Sequence, residues 1–172
     1  YENSAIASVS VLQNDWLKRK NEVFKTYINK INTAQKEIII VSSYFLPGKK
    51  LIRTLKKASQ NKVSIKLILS GMSDVPMVKR ASCHLYSKLL RYNIELYEWK
   101  KTVLHGKTAI IDKNWTTIGS FNLNNLSSFA SIEMNVAIDS EEFAKEYALH
   151  LQEIINQCEK ITPETLKSTY SL

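Results

Sequence analysis

The sequence has few of the residues that build disulfide-stapled, membrane-spanning or low-complexity proteins. Only 2 of its 172 residues are cysteine, and Cys83 and Cys158 lie too far apart to suggest a disulfide framework or a metal-binding spacing. With 4 glycines and 3 prolines, it contains no flexible or repetitive tract. No apolar run approaches the roughly 18 residues that suggest a membrane-spanning helix. These absences favour one globular domain in a reducing compartment.

Acidic residues are also scarce, since 16 Asp+Glu stand against 24 Lys+Arg and leave a net charge of +8. This excess favours an anionic partner such as phosphate, nucleic acid or an acidic membrane surface, although a solubilising surface explains it equally well. The chain is long enough for one proper hydrophobic core. It begins at Tyr1 rather than Met, and we therefore expect a piece of a longer protein or a processed chain.

Apolar patterning predicts strands that alternate with helices. The strands are predicted at 5–12, 38–43, 63–70, 94–99, 104–112, 116–119 and 132–138, and the helices at 16–33, 49–60, 75–91 and 140–160. This alternation predicts an α/β domain in which helices cover both faces of a mixed β-sheet. Asp15 is the expected N-cap of the first helix, with Trp16 on its apolar side. The tail from Ile161 is expected to be loosely attached.

Three loops follow predicted strands, and in such sheets the ligand crevice tends to lie at strand ends. They are Tyr44-Phe45-Leu46-Pro47, Gly71-Met72-Ser73-Asp74 and Ser120-Phe121-Asn122. We expect a binding site to be built from them.

His105 and Lys107 are two polar residues in a largely apolar predicted strand, Leu104 to Asp112. Side chains alternate along a strand, so these two are expected on one face, about 6.5 Å apart. Imidazole acts as a nucleophile or as an acid and base near neutral pH. A neighbouring ammonium favours an anionic substrate and stabilises charge that develops on a phosphoryl group.

Four other residues are candidates for supporting roles. Ser120 and Asn122 offer neutral hydrogen-bond donors after Gly119, which allows a close backbone approach to a ligand. Glu133, on the following strand, is suited to orienting an imidazole. Asp112 falls at the strand end with the opposite parity to His105, and we assign it to turn or backbone support.

The pattern His105-x-Lys107-x4-Asp112 followed by Gly119-Ser120-x-Asn122 resembles the HxKxxxxD/GSxN signature of the phospholipase D superfamily. The loops at Ser43 to Pro47 and Gly71 to Pro76 are similar to those of bacterial cardiolipin synthases, and Glu133-Met134-Asn135 also resembles their second catalytic half. The similarity covers roughly residues 5 to 157. It implies a phospholipase D-like mixed sheet in a single domain, residues 1–172. Gly106 stands where many relatives have alanine.

The resemblance implies a two-step exchange at a phosphodiester through a phosphohistidine intermediate, without a metal or another cofactor. His105 would be the nucleophile or the general acid, and Lys107 and Asn122 would hold the phosphate oxygens. Ser120 would add hydrogen bonds, and Glu133 would support a histidine. Asp112 belongs to the motif as a structural residue, and Tyr44 lines the substrate entrance under this interpretation.

Family members need two such motifs per site, and this chain has one. We therefore expect either the C-terminal half of a two-lobed enzyme or a single-motif chain that pairs with a second copy. Three functions stay open: a phosphatidyltransferase acting on anionic phospholipid at the bacterial cytoplasmic membrane, a homodimeric phosphodiesterase or nuclease, and a non-catalytic lobe that binds phosphate or lipid. The apolar Tyr44-Phe45-Leu46-Pro47 loop favours lipid, because nucleic-acid grooves interleave basic and aromatic residues.

Overall fold

Nine strands form one mixed sheet in the computed structural model, which describes residues 7–72, 76–124 and 131–169. They are β1 (Ser8–Asp15), β2 (Lys20–Asn21), β3 (Glu37–Ser42), β4 (Ser64–Met72), β5 (Glu95–Val103), β6 (Lys107–Ile111), β7 (Trp115–Gly119), β8 (Ile132–Asp139) and β9 (Glu159–Ile161). Their order across the sheet is β2-β1-β8-β7-β6-β3-β4-β5-β9. Strands β3, β4 and β5 run parallel, and the other neighbouring pairs are antiparallel.

Helices cover both faces of this sheet, which confirms the predicted fold class. They are α1 (Glu22–Thr33), α2 (Lys49–Gln60), α3 (Pro76–Leu90), α4 (Glu141–Ile155) and α5 (Pro163–Thr169). The larger core joins α1, α2, α3 and α5 to one face, and a smaller core joins α4 to the other. No helix among the described residues is long and apolar enough to cross a membrane.

The central strand β3 shows why its sequence is a continuous apolar run. Ile38 and Ile40 point into the larger core, whereas Ile39 and Val41 point into the core beneath α4. A strand buried on both faces needs no polar alternation.

Helix α4 begins where Ser140 accepts a hydrogen bond from the backbone N–H of Phe143, 3.3 Å away. This is the usual N-cap arrangement.

The first predicted helix is too long at its N-terminal end. Strand β1 runs to Asp15, and α1 begins only at Glu22. Asp15 is therefore not the N-cap. The Asn14 side chain instead accepts from the backbone N–H of Val23, 3.0 Å away. Trp16, expected on the apolar side of the helix, is 53% exposed.

The C-terminal part of the chain is better anchored than its polar sequence suggested. The predicted helix over 140–160 ends at Ile155, and the residues after it form β9, which pairs with β5. Ile161 and Leu166 are both buried in the larger core. The expectation of a loosely attached tail is wrong for residues 161–169, because Ile161 lies in β9 and Leu166 packs α5 into the larger core.

The face beneath α4 is open toward one side of the sheet. Strands β1, β8 and β7 present exposed apolar side chains there in mutual register, and we call this surface the open strip: Val9, Val11, Ile118, Ile132, Met134 and Val136. An exposed apolar surface of this extent is typical of an interaction site.

Candidate active site

The candidate residues other than Asp112 gather at one edge of the sheet. Strand β3 ends at Ser42, opposite Lys107, which begins β6, and β7 ends at Gly119, opposite Asn135 near the start of β8. We call this edge the site edge. Strands β1, β4 and β5 also end there. The topology thus brings together the loops that follow β3 and β7 and the segment that precedes β6.

Lys107 is a buried lysine whose ammonium points along the site edge. Its side chain is only 8% exposed, and Nζ donates to the backbone carbonyl of His105 at 3.1 Å and to Ser43 Oγ at 3.4 Å. Burial lowers the pKa of Lys107 from its ordinary value, and the negative charge of Glu133 acts in the opposite direction. A buried ammonium held by two neutral oxygens has capacity to bind an anion.

His105 differs from its sequence-based placement. It precedes β6 rather than lying on it, and its side chain is exposed. Antiparallel pairing begins at Lys107, because the partner strand β3 has ended at Ser42. The two polar residues therefore do not share a buried strand face. The imidazole meets the ring of Tyr44 edge-on, with centroids 6.3 Å apart and an angle of 83°.

Ser120 and Glu133 form a hydrogen-bonded pair between the loop after β7 and strand β8. Ser120 Oγ donates to Glu133 Oε2 at 2.5 Å and accepts from the backbone N–H of Met134 at 3.1 Å. The other carboxylate oxygen accepts from Ser131 Oγ at 3.0 Å. These contacts hold the Glu133 carboxylate in place. Its negative charge raises the pKa of the Lys107 ammonium.

Asn122 follows Ser120 in the same loop. Its Oδ1 is buried and has no hydrogen-bond partner within the described residues. A buried amide atom without a partner is costly, and a ligand or a water molecule satisfies it. The amide presents either its oxygen or its NH2 group at this position after a half-turn.

Asp112 lies at the opposite edge of the sheet from Lys107. Its carboxylate accepts three backbone N–H groups, from Gln35 at 2.8 Å, Lys36 at 2.7 Å and Glu37 at 3.0 Å. Asp112 adopts a positive φ of 53°, a conformation that aspartate tolerates better than most residues. Its contacts fasten the start of β3 to the end of β6, and this is a structural role.

Two residues that sequence reasoning did not single out help to build the site. The Ser43 hydroxyl accepts from the Lys107 ammonium and donates to the Gly106 carbonyl at 3.2 Å. It therefore links the lysine side chain to the backbone of the segment before β6. Asn135 accepts from the backbone N–H of Phe121 at 3.2 Å and donates to Thr117 at 3.0 Å, and so positions the loop that carries Asn122. Asn135 lies two residues after Glu133 on β8, so its side chain points to the same face of the sheet, and this spacing could have identified it from the sequence. Ser73 and Asp74, in the second expected loop, lie outside the described residues.

The fold and the clustered histidine, lysine, serine and asparagine define a phospholipase D-like domain. The family model described as "Cardiolipin synthase, PLD-like domain" matches residues 27–155, and the chain belongs to this family. Over 148 residues it is 35% identical to cardiolipin synthase B of Salmonella typhi, covering 86% of this chain and 36% of that protein. The minor cardiolipin synthase ClsB of Bacillus subtilis is 33% identical over 138 residues, with 80% and 35% covered.

The chain therefore spans about a third of the length of these relatives. Solved structures show the same fold at low identity. The phospholipase D family member Nuc from Salmonella typhimurium matches with a TM-score of 0.76 at 19% identity, over 90% of this chain and 98% of that one. Phosphatidylserine synthase from Haemophilus influenzae matches with a TM-score of 0.75 at 14% identity, over 99% and 46%. The sequence-based recognition of the superfamily is confirmed.

Proposed function

We propose that the chain supplies one half of a phosphatidyltransferase site of the cardiolipin synthase type. The observation that carries the proposal is the buried Lys107 ammonium, held beside the exposed His105 at the site edge. The unpaired amide oxygen of Asn122 and the Ser120–Glu133 pair lie in the loop and strand next to it. Together these groups offer a nucleophile in His105 and, from Lys107 and the NH2 group of Asn122 after a half-turn of its amide, donors for the oxygens of a phosphodiester.

The proposed reaction proceeds in two displacements at phosphorus. His105 attacks, an N–P bond forms, and the P–O bond to the first alcohol breaks while a second histidine gives that alcohol its proton. The acceptor alcohol then loses its proton to the second histidine and attacks phosphorus, and the N–P bond breaks. Lys107 and Asn122 hold the non-bridging oxygens, and Glu133 offsets the lysine charge. Tyr44 packs against His105 at the entrance.

The second histidine has to come from another lobe. The remaining histidines, His84 and His150, lie on α3 and α4, and neither has a lysine two positions later. We propose that the partner is the N-terminal half of a longer chain or, as the alternative, a second copy. The open strip supports this proposal, because its apolar residues on β8 continue to Ile132 at the site edge.

Anionic glycerophospholipid is the substrate that we favour, which puts the working enzyme at a bacterial cytoplasmic membrane. The names of the matched relatives support this choice. Phe45 is part of the core, so the lipid-facing part of its loop is reduced to the half-buried Tyr44, Leu46 and Pro47. A homodimeric phosphodiesterase or nuclease is the second candidate, favoured by the net charge of +8. A non-catalytic phosphate-binding lobe is the third.

Trapping of the intermediate tests the proposal. The chain is incubated with phosphatidylglycerol labelled in its diester phosphate and quenched in alkali, in which phosphohistidine survives. We expect label on His105 in the assembly that turns over, and none on a His105→Ala variant. Label on another residue, or turnover without His105, would contradict the mechanism.

Solution mass measured on the same preparation separates the pairing arrangements. An active dimer supports the self-pairing alternative, and an inactive monomer supports the need for another lobe. A strict monomer with efficient turnover would contradict the shared site.

A further inference from the structure

The turn between β1 and β2 and the first residue of β2 expose five consecutive residues, which we call the β1–β2 tip: Trp16, Leu17, Lys18, Arg19 and Lys20. The first two are large and apolar, with Trp16 53% and Leu17 67% exposed, and the other three are cationic. An exposed tryptophan and leucine followed by three cations is a costly surface in water. It needs a reason beyond solubility.

The β1–β2 tip is a structured turn. The backbone N–H of Lys18 donates to Asp15 Oδ1 at 3.0 Å, and that of Arg19 donates to the Trp16 carbonyl at 3.3 Å. Arg19 takes a positive φ of 54°, which closes the turn. Two carboxylates lie at the base of the tip, and both have partners. Asp15 is buried and lies 3.8 Å from the Lys18 ammonium. Glu22 accepts from the Gln13 backbone N–H at 3.0 Å.

The tip projects from the site edge. The pairs Asn14–Glu133 and Asp15–Ile132 place it directly beyond the start of β8, next to the candidate active site. Across the site, the paired ends of β4 and β5 expose two more apolar residues at the same edge, Met72 at 48% and Val103 at 46%. Five inter-strand spacings separate β1 from β4, about 24 Å. Exposed apolar residues thus flank the site on both sides.

We propose that the β1–β2 tip docks the chain on an anionic lipid surface. Trp16 and Leu17 enter the interfacial layer, while Lys18, Arg19 and Lys20 contact lipid phosphates. Docking in this way turns the site edge toward the membrane. The biological sense of this inference rests on the proposed function, since a transferase for phospholipids has to reach head groups. Nucleic acid explains the cations but gives the Leu17 side chain nothing to bind.

Vesicle binding tests the docking without any need for turnover. The purified chain is sedimented with vesicles of phosphatidylserine in phosphatidylcholine and, separately, of phosphatidylcholine alone. We expect binding to the anionic vesicles that falls about tenfold or more in the variant Lys18→Gln/Arg19→Gln/Lys20→Gln. We expect Leu17→Ser to weaken it severalfold. Trp16 fluorescence should shift to the blue on binding, and Trp16→Phe should remove that shift.

Two control variants remove the same kinds of side chain, three cations or one exposed leucine, at positions outside the β1–β2 tip. The variant Lys56→Gln/Lys57→Gln/Lys62→Gln removes three cations toward the opposite edge, and Leu149→Ser removes an apolar residue that is 70% exposed on α4. We expect both to bind as the wild type does. All variants are checked for unchanged thermal unfolding.

Two results would overturn the docking proposal. The first is anionic-vesicle binding that is absent in the wild type or unaffected by the tip variants. The second is binding of a DNA oligonucleotide that depends on the tip cations, with no effect of Leu17→Ser on vesicles. Failure of the proposed function is distinguishable, because a chain without phosphodiester chemistry still binds vesicles through the tip. His105→Ala should bind them normally.

Discussion

The Lys107 ammonium donates to the backbone carbonyl of His105, 3.1 Å away. The two motif residues are therefore linked through the main chain, while the imidazole itself stays exposed beside Tyr44. This arrangement fixes the segment that carries His105 without using either imidazole nitrogen. Among the described residues no hydrogen bond occupies the imidazole, and the role of each residue can be tested separately.

Replacement of His105 by alanine should abolish turnover and leave the fold intact. The imidazole is the proposed nucleophile, so we expect kcat in the active assembly to fall at least about a thousandfold. Because the side chain is exposed, the free energy of unfolding should change by less than about 0.5 kcal/mol. Kinetics and urea unfolding measure the two effects. His150→Ala, which removes an exposed histidine on α4, is the control that should retain activity.

Phosphate affinity should fall when Lys107 loses its proton. Lys107 should lose it at a lower pH than an exposed lysine does. Burial lowers the pKa of Lys107, and Glu133 partly restores it. Between this lowered pKa and the ordinary one, the folded chain has a neutral Lys107 while the unfolded chain keeps the proton. Stability therefore rises with pH through this window, whereas anion binding declines.

Glu133→Gln sharpens that test, because the amide still accepts from Ser120 but has no charge. We expect the Lys107 pKa to fall further in this variant. An NMR titration of the Lys107 side chain measures its pKa in both proteins. A Lys107 pKa in the variant equal to or above that of the wild type would show that Glu133 does not act on it.

The sequence was sufficient to predict the fold class. Periodicity located the strands that carry the motif, and the loops after β3 and β7 lie at the edge of the sheet where Lys107 begins β6. The sequence did not predict the position of His105 correctly. The apolar pattern from Leu104 to Asp112 does not show where the partner strand β3 ends. Only the pairing of Ser42 with Lys107 sets the start of β6.

The other failures have a similar cause. Trp16 has helical spacing relative to Val23 and Tyr27, yet the chain up to Asp15 pairs with β8 and a turn follows. Local pattern cannot weigh that long-range pairing. The tail looked polar because Ile161 and Leu166 are isolated apolar residues, and both are buried only through contact with distant parts of the core.

Asp112→Ala should destabilise the chain and leave the site chemistry unchanged. Three backbone N–H groups lose their acceptor, and alanine is strained at the positive φ of this position. We expect the free energy of unfolding to fall by about 2–4 kcal/mol. Asp112→Asn should lose less, because an amide oxygen still accepts and asparagine tolerates this φ. Urea unfolding gives the stabilities, and turnover per folded molecule of the active assembly should match the wild type in both. A catalytic loss in folded Asp112→Asn would refute a purely structural role.

Gly119→Ala and Gly106→Ala form a matched pair at the two ends of the motif. A methyl group at Gly119 would meet the Met134 carbonyl oxygen at 2.2 Å and the Asn135 Cα at 2.6 Å. Backbone atoms cannot yield, so β7 and β8 have to separate, and with them Ser120 moves away from Glu133. At Gly106 the same methyl group meets only side chains, with Val41 Cγ1 at 3.1 Å.

We therefore expect Gly119→Ala to lower the free energy of unfolding by about 2 kcal/mol or more, and to impair phosphate binding. Gly106→Ala should cost less than about 1 kcal/mol and leave phosphate binding intact. Urea unfolding and isothermal titration with inorganic phosphate measure both variants. Equal effects of the two substitutions would mean that the close approach of β7 to β8 does not position the Ser120 loop. A selective effect at Gly119 would tie phosphate binding to that strand pair, since neither glycine has a side chain to contribute to the chemistry.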